Sequence, residues 1–253
     1  MLKVIDANNY IRRLIEADAS GLPMRNLLTE IKSSKDVWVF VWDGRNGNER
    51  RRKLYPEYKM KRKLPTEDIW RAMDLFREVL RHSKAIQVTV PEYDADDVIA
   101  SLVQNYVQQV PIEIHSTDRD LTALGVHVVG CINPKAPPEL IRLYKATVGD
   151  PSDNIPGIKG FGEKAWASCD KDELLEWYTR GVTLACSDPE VISEAFSIGK
   201  AHTNWLIENE QLARTFYDIV GFFPPSLELI ERYTTTGIPN DTEVSSILRS
   251  FLL

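Results

Sequence analysis

The stretch Val37–Gly44, which reads VWVFVWDG, sets the expected fold of this 253-residue chain. Six apolar residues in a row, with no polar alternation, are typical of a strand buried on both faces, as in a parallel sheet. Four further stretches read as strands: Leu2–Ile5, Ile86–Val90, Ile112–His115 and Val126–Ile132. Helical patterns separate them, running to Ile15, over Thr66–Arg81 and over Asp96–Val107. The sequence therefore predicts an α/β fold with a mostly parallel sheet.

Acidic residues follow four of these five predicted strands. They are Asp6, Asp43, Asp94 and Asp118, at or soon after the carboxyl end of each strand. In open α/β sheets that edge is where ligands bind, so we expect these side chains to share one pocket. With their neighbours and a later pair, the candidate set is Asp6, Asp43, Asp94, Asp96, Asp97, Asp118, Asp120, Asp150 and Asp153.

Each of these acids also has a purely structural explanation. Asp94 can cap a helix, Asp118 can form an Asx turn, and Asp150 and Asp153 can shape a turn around Pro151. A cap needs one acid, however, and residues 94–97 contain three. Closely spaced carboxylates repel one another unless positive charge lies among them. Without an accompanying His or Cys cluster they favour Mg²⁺ or Mn²⁺, and two such ions about 4 Å apart suit phosphodiester hydrolysis.

The distribution of charge points to an anionic partner, although the net charge is −6. Residues 45–63 contain nine Lys or Arg and two Glu, a net charge of +7, which leaves −13 for the rest of the chain. Setting aside the nine candidate aspartates changes −6 to +3. The field that a phosphate meets therefore differs from the field that the net charge suggests.

Within this basic segment, Tyr55, Tyr58, Lys59 and Arg62 have the spacing of one helix face. Such a face could stack bases on tyrosines and hold a phosphate. The alternative is a solvated, charged helix, which is usual for a basic run.

Glycines interrupt the mostly helical pattern that begins at Pro137. Gly157, Gly160 and Gly162 lie close together between two predicted helices. Such spacing lets backbone N–H groups approach a phosphate, although any turn between helices uses glycine.

The remaining features favour a cytoplasmic protein that does not enter a membrane. Cys131, Cys169 and Cys186 are scattered, without metal-ligand spacing or a disulfide framework, as expected in a reducing compartment. Asp6 comes too early for a signal peptide, and no apolar run approaches the length of a membrane span.

The order of the motifs resembles that of the 5′-nuclease family. This family includes the 5′–3′ exonuclease domain of bacterial DNA polymerase I, the free-standing bacterial and phage 5′ exonucleases, and the flap endonucleases. The resemblance runs from residue 4 to about residue 166, and later residues match only loosely, around Asn209–Val220. The motifs are VIDANN (4–9), WDG (42–44), YPEYKMKR (55–62), DADDVIA (94–100), STDRDL (116–121) and GDPSDNIPGIKGFGEK (149–164).

The resemblance implies a PIN-like domain over residues 1–148, with a helical arch at about 45–82. It implies a helix–three-turn–helix module and C-terminal helices over residues 149–253. It also implies two divalent metal ions, with Asp6, Asp43, Asp94 and Asp96 at the first, Asp97 beside it, and Asp118, Asp120, Asp150 and Asp153 at the second.

By the same resemblance, Lys59 and Arg62 act in catalysis together with Asp6 and Asp96. A K⁺ ion is expected at the turn that contains Gly157, Gly160 and Gly162, hereafter the glycine turn. The implied DNA-binding residues are Tyr55, Tyr58, Lys59, Arg62, Gly157, Lys159, Gly160, Gly162 and Lys164.

Two departures qualify the resemblance. The family usually has Glu where this chain has Asp94, so we expect looser or water-mediated coordination there, with Glu92 as a candidate to compensate. The stretch Val126–Gly149 is shorter than in the polymerase-attached domains, which predicts a trimmed sheet edge.

The leading functional interpretation is a monomeric, structure-specific 5′ nuclease acting on DNA with a 5′ end, flap or nick. We expect it to stand alone, in a bacterium or encoded by a phage. The sequence is equally consistent with an alternative function, that of a relative that removes RNA primers from RNA–DNA hybrids. A catalytically inactive DNA-binding relative would show gaps in the acid set, where we find one conservative change. A phosphotransferase would not explain the glycine turn.

Overall fold

The computed structural model describes residues 1–17, 22–132, 134–181, 183–184 and 187–251, so Cys186 lies outside the described ranges. Short 3-10 helices lie at Asp120–Leu124 and Pro138–Leu140. In chain order, the other elements are β1 (Leu2–Asp6), α1 (Ala7–Ala17), α2 (Leu22–Ser33), β2 (Val37–Val41), α3 (Glu49–Leu54), α4 (Glu67–Arg81), β3 (Ile86–Val88), α5 (Ala95–Tyr106), β4 (Ile112–His115), β5 (His127–Val129), α6 (Ile141–Val148), α7 (Glu163–Ser168), α8 (Lys171–Arg180), α9 (Pro189–Ala195), α10 (Lys200–Glu208), α11 (Glu210–Val220), α12 (Leu227–Arg232), β6 (Thr234–Thr236) and α13 (Asp241–Phe251).

Within the described ranges, six strands form one sheet in the order β5-β4-β1-β2-β3-β6. Strands β1 to β5 are parallel, and β6 pairs antiparallel with β3. Leu2 of β1 lies opposite Val37 of β2 on one side and Ile112 of β4 on the other. The carboxyl end of β1 therefore lies in the middle of the sheet edge, with a parallel strand on each side.

Helices cover both faces of the sheet, which explains the unbroken apolar strands. On one face, Ile5 and Phe40 pack with Ile11 of α1, Phe76 of α4 and Leu248 of α13. Helix α5 packs against β1 and β2 as well, and its residues Val98 and Ile99 are fully buried.

The chain forms two compact units that interleave in the sequence. The sheet unit comprises Met1–Gly47, Lys63–Asn133 and Phe223–Leu253, and the helical unit comprises Asn48–Arg62 and Pro134–Phe222. This division follows packing, and it differs from the predicted boundary between residues 148 and 149. The predicted division into a nuclease domain (residues 1–148) and a duplex-binding region (residues 149–253) stays a prediction.

The helical unit contains α3 and α6 to α11. Its core includes Ile158, Phe161, Leu174 and Phe216, each at most 3% exposed. Buried Tyr58 belongs to the same core, so the segment that holds α3 is packed into this unit.

The C-terminal segment belongs to the sheet unit, a role that the weak pattern of residues 224–253 did not indicate. The N–H of Phe223 donates to Asp97 Oδ1 at 2.8 Å, and Ser101 Oγ donates to the carbonyl of Pro225 at 2.7 Å. Strand β6 then extends the sheet beyond β3, and α13 packs on α4.

The five predicted strands are present, although β3 and β5 are shorter than expected. The three-residue strand β5 lies at the sheet edge. The trimming of this edge relative to the polymerase-attached domains stays a prediction. The helix expected over Tyr55–Arg62 is wrong, because α3 ends at Leu54 and residues 56–61 form a turn. Residues 55–62 are hereafter called the basic turn. Lys59 has φ 52°, in the left-handed region, which an α-helix does not allow.

No helix in the described ranges is both long enough and apolar enough to cross a membrane.

Candidate active site

Four acids lie at the carboxyl edge of the parallel strands in the sheet unit, as the sequence predicts. Asp6 is the last residue of β1, Asp43 lies two residues beyond β2, and Asp118 lies three residues beyond β4. Asp94 immediately precedes α5, which follows β3. Parallel strands end at the same edge, so the topology brings these four positions together.

Asp6 is buried at this edge, with only 6% of the residue exposed. Its Oδ2 accepts from Ser116 Oγ at 2.7 Å, and its Oδ1 accepts from the N–H of Asn9 at 3.3 Å. Burial and the nearby charges of Asp43 and Asp118 raise the pKa of Asp6 from 3.8 to about 7, although both hydrogen bonds act to lower it. A divalent cation at this edge would relieve the repulsion and restore the ionised form.

Asp43 joins the sheet edge to the start of α5. Its Oδ1 accepts from the N–H of Ala95 at 3.0 Å, and its own N–H donates to Asn8 Oδ1 at 3.3 Å. The described residues of α5 receive no capping hydrogen bond from the side chain of Asp94. Asp94 is buried against Gly47, where an added Cβ would collide with its carboxylate oxygen. The cap proposed for Asp94 is therefore replaced by a contact from Asp43.

Asp96 and Asp97 follow in the first turn of α5. Asp97 is 1% exposed, and its Oδ1 accepts from the N–H of Phe223 at 2.8 Å. This carboxylate therefore fixes the C-terminal segment to α5, a structural role that sequence reasoning did not foresee. Asp96 is only partly buried. Metal ligation by either residue stays a prediction.

The turn after β4 links Asp118 to Asp6 through one hydroxyl group. Ser116 Oγ accepts from the N–H of Asp118 at 3.0 Å and donates to Asp6. Asp118 Oδ1 in turn accepts from the N–H of Asp120 at 2.9 Å, which is an Asx turn. The structural explanation for Asp118 thus holds, and the same turn fixes its carboxylate beside that of Asp6.

In the helical unit, Asp150 lies in an acidic loop formed by residues 149–155. It is 8% exposed, and its Oδ2 lies 2.6 Å from Lys145 Nζ. Its Oδ1 accepts from the N–H of Ser152 at 2.9 Å and from its hydroxyl at 2.6 Å. Burial acts to raise the pKa of Asp150, but the charge of Lys145 and the hydrogen bonds outweigh it and hold the pKa below its usual value. Asp150 is therefore ionised and partly neutralised within the protein.

The acidic loop fastens the basic turn. Tyr58 Oη donates to Asp153 Oδ2 at 3.1 Å, and the N–H of Lys59 donates to the carbonyl of Asp153 at 2.9 Å. Asn154 Nδ2 donates to the carbonyl of Glu57 at 3.0 Å. These bonds hold the left-handed backbone of Lys59, and such strain in a well-fastened segment is typical of functional sites.

The two tyrosines of the basic turn differ in exposure: Tyr58 is buried, which corrects the expectation that it stacks on a base, whereas Tyr55 is partly exposed and its DNA contact stays a prediction. Tyr58 is 3% exposed, and the ring of Tyr55 meets that of Phe216 edge to face, with centroids 5.3 Å apart. Burial raises the pKa of Tyr58 well above its usual value. Arg62 is exposed and Lys59 is partly exposed, so the cations of the predicted face remain at the surface.

Arg51 anchors the segment before the basic turn. It is 4% exposed, and its guanidinium donates to the carbonyls of Ile219 and Gly221, both at 2.9 Å. Arg142 donates to the carbonyl of Tyr217 at 2.8 Å in the same helix end. Cations at a helix C-terminus are favourable, so this attachment of α3 to α11 is stable.

The three glycines of the predicted phosphate-binding turn have different requirements. Gly157 has φ 68°, and a Cβ there would lie 2.5 Å from the carbonyl of Thr147. Gly160 has φ 76° and is exposed. Gly162 has φ −103° and ψ −169°, an extended conformation open to any residue, and no described atom lies within 4 Å of an added Cβ. Of these three glycines, Gly157 is the one that packing requires.

Several residues that build these sites were missed from the sequence. Ser116 and Asn9 lie in quoted motifs, and their polar side chains next to acids are the signal that could have found them. Lys145 gave no such signal, because it reaches Asp150 only when α6 and the acidic loop are folded. Arg77 stacks 4.3 Å from the ring centroid of Trp42 and lies within the field of Asp43.

Residues 2–146 match a protein family described as 5′–3′ exonuclease, N-terminal resolvase-like domain. The chain is 33% identical over 155 residues to a thermostable DNA polymerase I of Thermus thermophilus, across 55% of this chain and 18% of that protein. It is 28% identical over 191 residues to a 5′–3′ exonuclease of Aquifex aeolicus, across 64% of this chain and 66% of that protein. This chain thus spans less than two thirds of either relative.

The fold is similar to that of a bacteriophage T5 flap endonuclease solved as a pseudo-enzyme-product complex with DNA and metal ions. The TM-score is 0.58, the identity is 15%, and the match covers 100% of this chain and 99% of the other. At this identity the likeness concerns the fold, and it agrees with the observed six-stranded, mostly parallel α/β sheet.

Proposed function

Because the chain belongs to the 5′–3′ exonuclease family, whose N-terminal resolvase-like domain matches residues 2–146, we propose that it is a divalent-metal-dependent, structure-specific 5′ nuclease. It hydrolyses DNA phosphodiesters to 5′-phosphate products. The observation that supports this most strongly is the buried carboxyl of Asp6, set among acids at the carboxyl edge of the sheet, with its pKa raised to about 7.

The donor set fits hard divalent cations. Asp6, Asp43, Asp94 and Asp96 would hold one ion, with Asp97 beside them. The acids of the second site would be Asp118, Asp120, Asp150 and Asp153. Oxygen ligands of this kind suit Mg²⁺ or Mn²⁺. When bound, such ions supply positive charge for the developing charge on the phosphate and lower the pKa of a water molecule.

In this proposal, residues of the protein position the phosphate and stabilise its negative charge. Lys59 and Arg62 would contact the scissile phosphate and stabilise negative charge as it grows. The bonds from Asp153 to the basic turn fix the backbone of Lys59 before the substrate arrives, which avoids an ordering cost during catalysis. Ser116 and Asn9 orient the carboxylate of Asp6.

Further parts of the proposal concern binding. The segment at about 45–82 is the proposed helical arch. Residues 149–253 are the proposed helix–three-turn–helix region, which contacts duplex DNA, together with the C-terminal helices, and a K⁺ ion is proposed at the glycine turn. Gly157, Gly160 and Gly162, with Lys159 and Lys164, would meet phosphates there. The enzyme would act as a monomer in the cytoplasm of a bacterium or of a phage-infected cell.

The test is cleavage of matched, 5′-labelled substrates. A 5′ flap, a nicked duplex, a blunt duplex and a flap with an RNA 5′ segment are compared in Mg²⁺, Mn²⁺ and EDTA. We expect metal-dependent release of 5′-phosphate products, fastest from the flap or the nick. The variant Asp118→Asn/Asp120→Asn should be folded but inactive.

The outcomes separate the alternatives. Preference for the RNA-containing flap would indicate primer removal. Binding without cleavage in either metal would indicate an inactive DNA-binding relative. Cleavage that persists in EDTA, or in the double variant, would contradict the metal-dependent mechanism.

A further inference from the structure

Arg77 is a partly buried cation of α4 to which the proposed mechanism gives no role. Its guanidinium carbon Cζ lies 4.3 Å from the ring centroid of Trp42. A planar guanidinium stacks on an aromatic face and is attracted by its electrons, an arrangement that lysine reproduces less well. Trp42 is 1% exposed and is the residue directly before Asp43. Arg77 therefore packs against the point at which the chain reaches the acidic edge.

Trp42 is held from three sides, and Arg77 takes part in two of these contacts. The backbone N–H of Trp42 donates to the carbonyl of Val88 at 2.9 Å. Its indole N–H donates to Gln87 Oε1 at 3.1 Å, and Gln87 Nε2 donates to the carbonyl of Arg77 at 3.1 Å. The side chain of Arg77 covers the indole face, and its Nη2 lies 3.5 Å from Thr89 Oγ1. Helix α4 and the end of β3 therefore fix the indole together.

Asp43 depends on this support because the residue itself is exposed. An exposed carboxylate is not fixed by packing, so its position follows from the backbone before it and from the hydrogen bonds that it makes. The bond from the N–H of Ala95 to Asp43 Oδ1, at 3.0 Å, requires the chain to leave β2 in the observed direction. Removing a group that holds a metal ligand in place typically lowers metal affinity or activity about 10-fold to 100-fold. A loosened Trp42 would therefore impair the acidic edge through Asp43.

The charge of Arg77 matters less for Asp43 than its position does. Burial lowers the pKa of Arg77, and among the acids that act against this, Asp74 has a larger effect than Asp43. Arg81, on the next turn of α4, acts in the same direction as burial. Arginine stays protonated at neutral pH despite such shifts. The stack on Trp42 is thus the more direct connection from Arg77 to the acidic edge.

We propose that Arg77 is a positioning residue for the hydrolysis, because its stack on Trp42 holds Asp43 in place at the carboxyl edge of the sheet. This inference rests on the proposed function, and it concerns a residue that contacts neither the substrate nor the metal ion. Loss of Arg77 should weaken the binding of a divalent ion even without DNA. The charge of Arg77 alone would have the opposite effect, because removing a cation near acids strengthens cation binding.

The experiment compares Arg77→Ala and Arg77→Lys with a matched control, Arg81→Ala. Arg81 is an exposed arginine of the same helix, and it pairs with Glu78 at 2.6 Å. Electron paramagnetic resonance of free Mn²⁺ gives the affinity for Mn²⁺ without DNA. Anisotropy in EDTA gives the affinity for a labelled 5′-flap DNA, and single-turnover cleavage in Mn²⁺ at saturating protein gives the rate. Thermal unfolding in EDTA shows whether each variant is folded.

Arg77→Ala should weaken Mn²⁺ binding and lower the saturated rate, each about tenfold. Arg77→Lys should show smaller losses of the same sign, about threefold, since it keeps the charge without the planar stack. Flap affinity in EDTA should not change in either variant, and Arg81→Ala should behave as the wild type in all three measurements. In a Trp42→Leu background, Arg77→Ala should slow cleavage by less than about twofold, because its effect passes through the indole.

Unchanged or tighter Mn²⁺ binding by Arg77→Ala would overturn this inference, because Arg77 would then act by its charge alone or not at all. A loss of flap affinity in EDTA that matches the loss of rate would also overturn it, since Arg77 would then contact the DNA. If Arg77→Ala does not fold, Arg77→Lys decides by the same comparisons. Each of these outcomes leaves the proposed function standing when the wild-type protein cuts the flap. If the wild type binds Mn²⁺ but cuts no 5′ substrate, the proposed function fails, and the Mn²⁺ affinities still decide whether Arg77 positions Asp43.

Discussion

At the scale of single residues, the free-energy cost of burying an acid beside other acids is clearest at Asp6. Because the pKa of Asp6 is raised in the folded protein to about 7, the fold favours the protonated form. The penalty is absent below the unfolded pKa of 3.8 and grows as the pH rises towards 7. In EDTA at pH 8, Asp6→Asn should therefore be more stable than the wild type, by roughly 1–4 kcal/mol.

Urea denaturation at pH 4, 6 and 8 checks this prediction. The gain should be small at pH 4 and largest at pH 8, while DNA cleavage is abolished. Asp68→Asn, an exposed acid of α4, is the control and should show no such trend. A gain that is equal at all three pH values would mean that titration of Asp6 is not its cause.

Lys59 combines an unusual backbone with the proposed catalytic charge. Lys59→Ala should lower single-turnover cleavage about 100-fold and affect binding much less, because its charge matters most in the transition state. Lys59→Gly should be as slow as Lys59→Ala but more stable, because glycine accepts the φ of 52° without strain.

Lys61→Ala is the matched control for this pair, since Lys61 is an exposed lysine of the same basic turn. Its rate at saturation should stay near that of the wild type. A similar rate loss in Lys61→Ala would show that general positive charge, and not the position of Lys59, is what matters.

At the scale of elements, the glycine turn contains one glycine that we expect to matter for stability and another that we expect to matter for DNA binding. Gly157→Ala should destabilise the protein by roughly 2–4 kcal/mol, because its Cβ would meet backbone 2.5 Å away at φ 68°. Gly162→Val should leave the stability nearly unchanged and weaken duplex binding, since its surroundings among the described residues are open. Thermal unfolding and duplex affinity are measured for both variants, and normal duplex binding by Gly162→Val would remove this residue from the interface.

Helix α13 is predicted to be essential to the sheet unit. Leu248 is 9% exposed in the core that α1, α4 and β2 share, so Leu248→Ala should cost roughly 2–4 kcal/mol. Ile238 lies in the same C-terminal segment but is 77% exposed, so Ile238→Ala should change stability by less than about 0.5 kcal/mol. Denaturant midpoints that are equal for the two variants would mean that α13 packs only loosely.

Elements with a strong local signal could be predicted from the sequence, and those fixed by distant partners could not. Strand β2 is an unbroken apolar run, and its position and the acid beyond its end were both predicted. The basic turn has the residue spacing of a helix face, but hydrogen bonds to Asp153 hold it as a turn. Asp153 lies far from the basic turn in the sequence, so no local pattern predicts this contact. Strand β6 is three threonines whose pairing depends on the edge offered by β3.

The candidate site follows the same rule: the positions that topology dictates could be predicted from the sequence, and those that depend on distant contacts could not. Acids at the carboxyl ends of strands follow from topology, so Asp6, Asp43 and Asp118 were placed correctly at the sheet edge. The role of Asp97 in holding Phe223 depends on where the C-terminal segment returns, and no local pattern encodes that return.

At the scale of the whole molecule, a cation should act as a structural ligand. If the acids hold divalent ions, Mn²⁺ or Mg²⁺ should raise the unfolding temperature in proportion to the logarithm of its concentration. The gain is about 2.7 kcal/mol at 100 times the dissociation constant. Asp6→Asn should respond much less. Differential scanning fluorimetry measures this without DNA, with K⁺ at equal ionic strength as the control, and an equal shift by K⁺ would point to general screening.

The interleaving of the two units fixes an order of events during synthesis. The chain leaves the sheet unit at residue 47, returns at residue 63, leaves again after residue 133 and returns at residue 223. Since the ribosome releases the chain from its N-terminus, the whole helical unit emerges before β6 does. Until residues 234–236 appear, β3 stays an unpaired edge, which is the kind of surface that recruits strands from other nascent chains. The last thirty residues therefore also determine how long the newborn protein is exposed to aggregation.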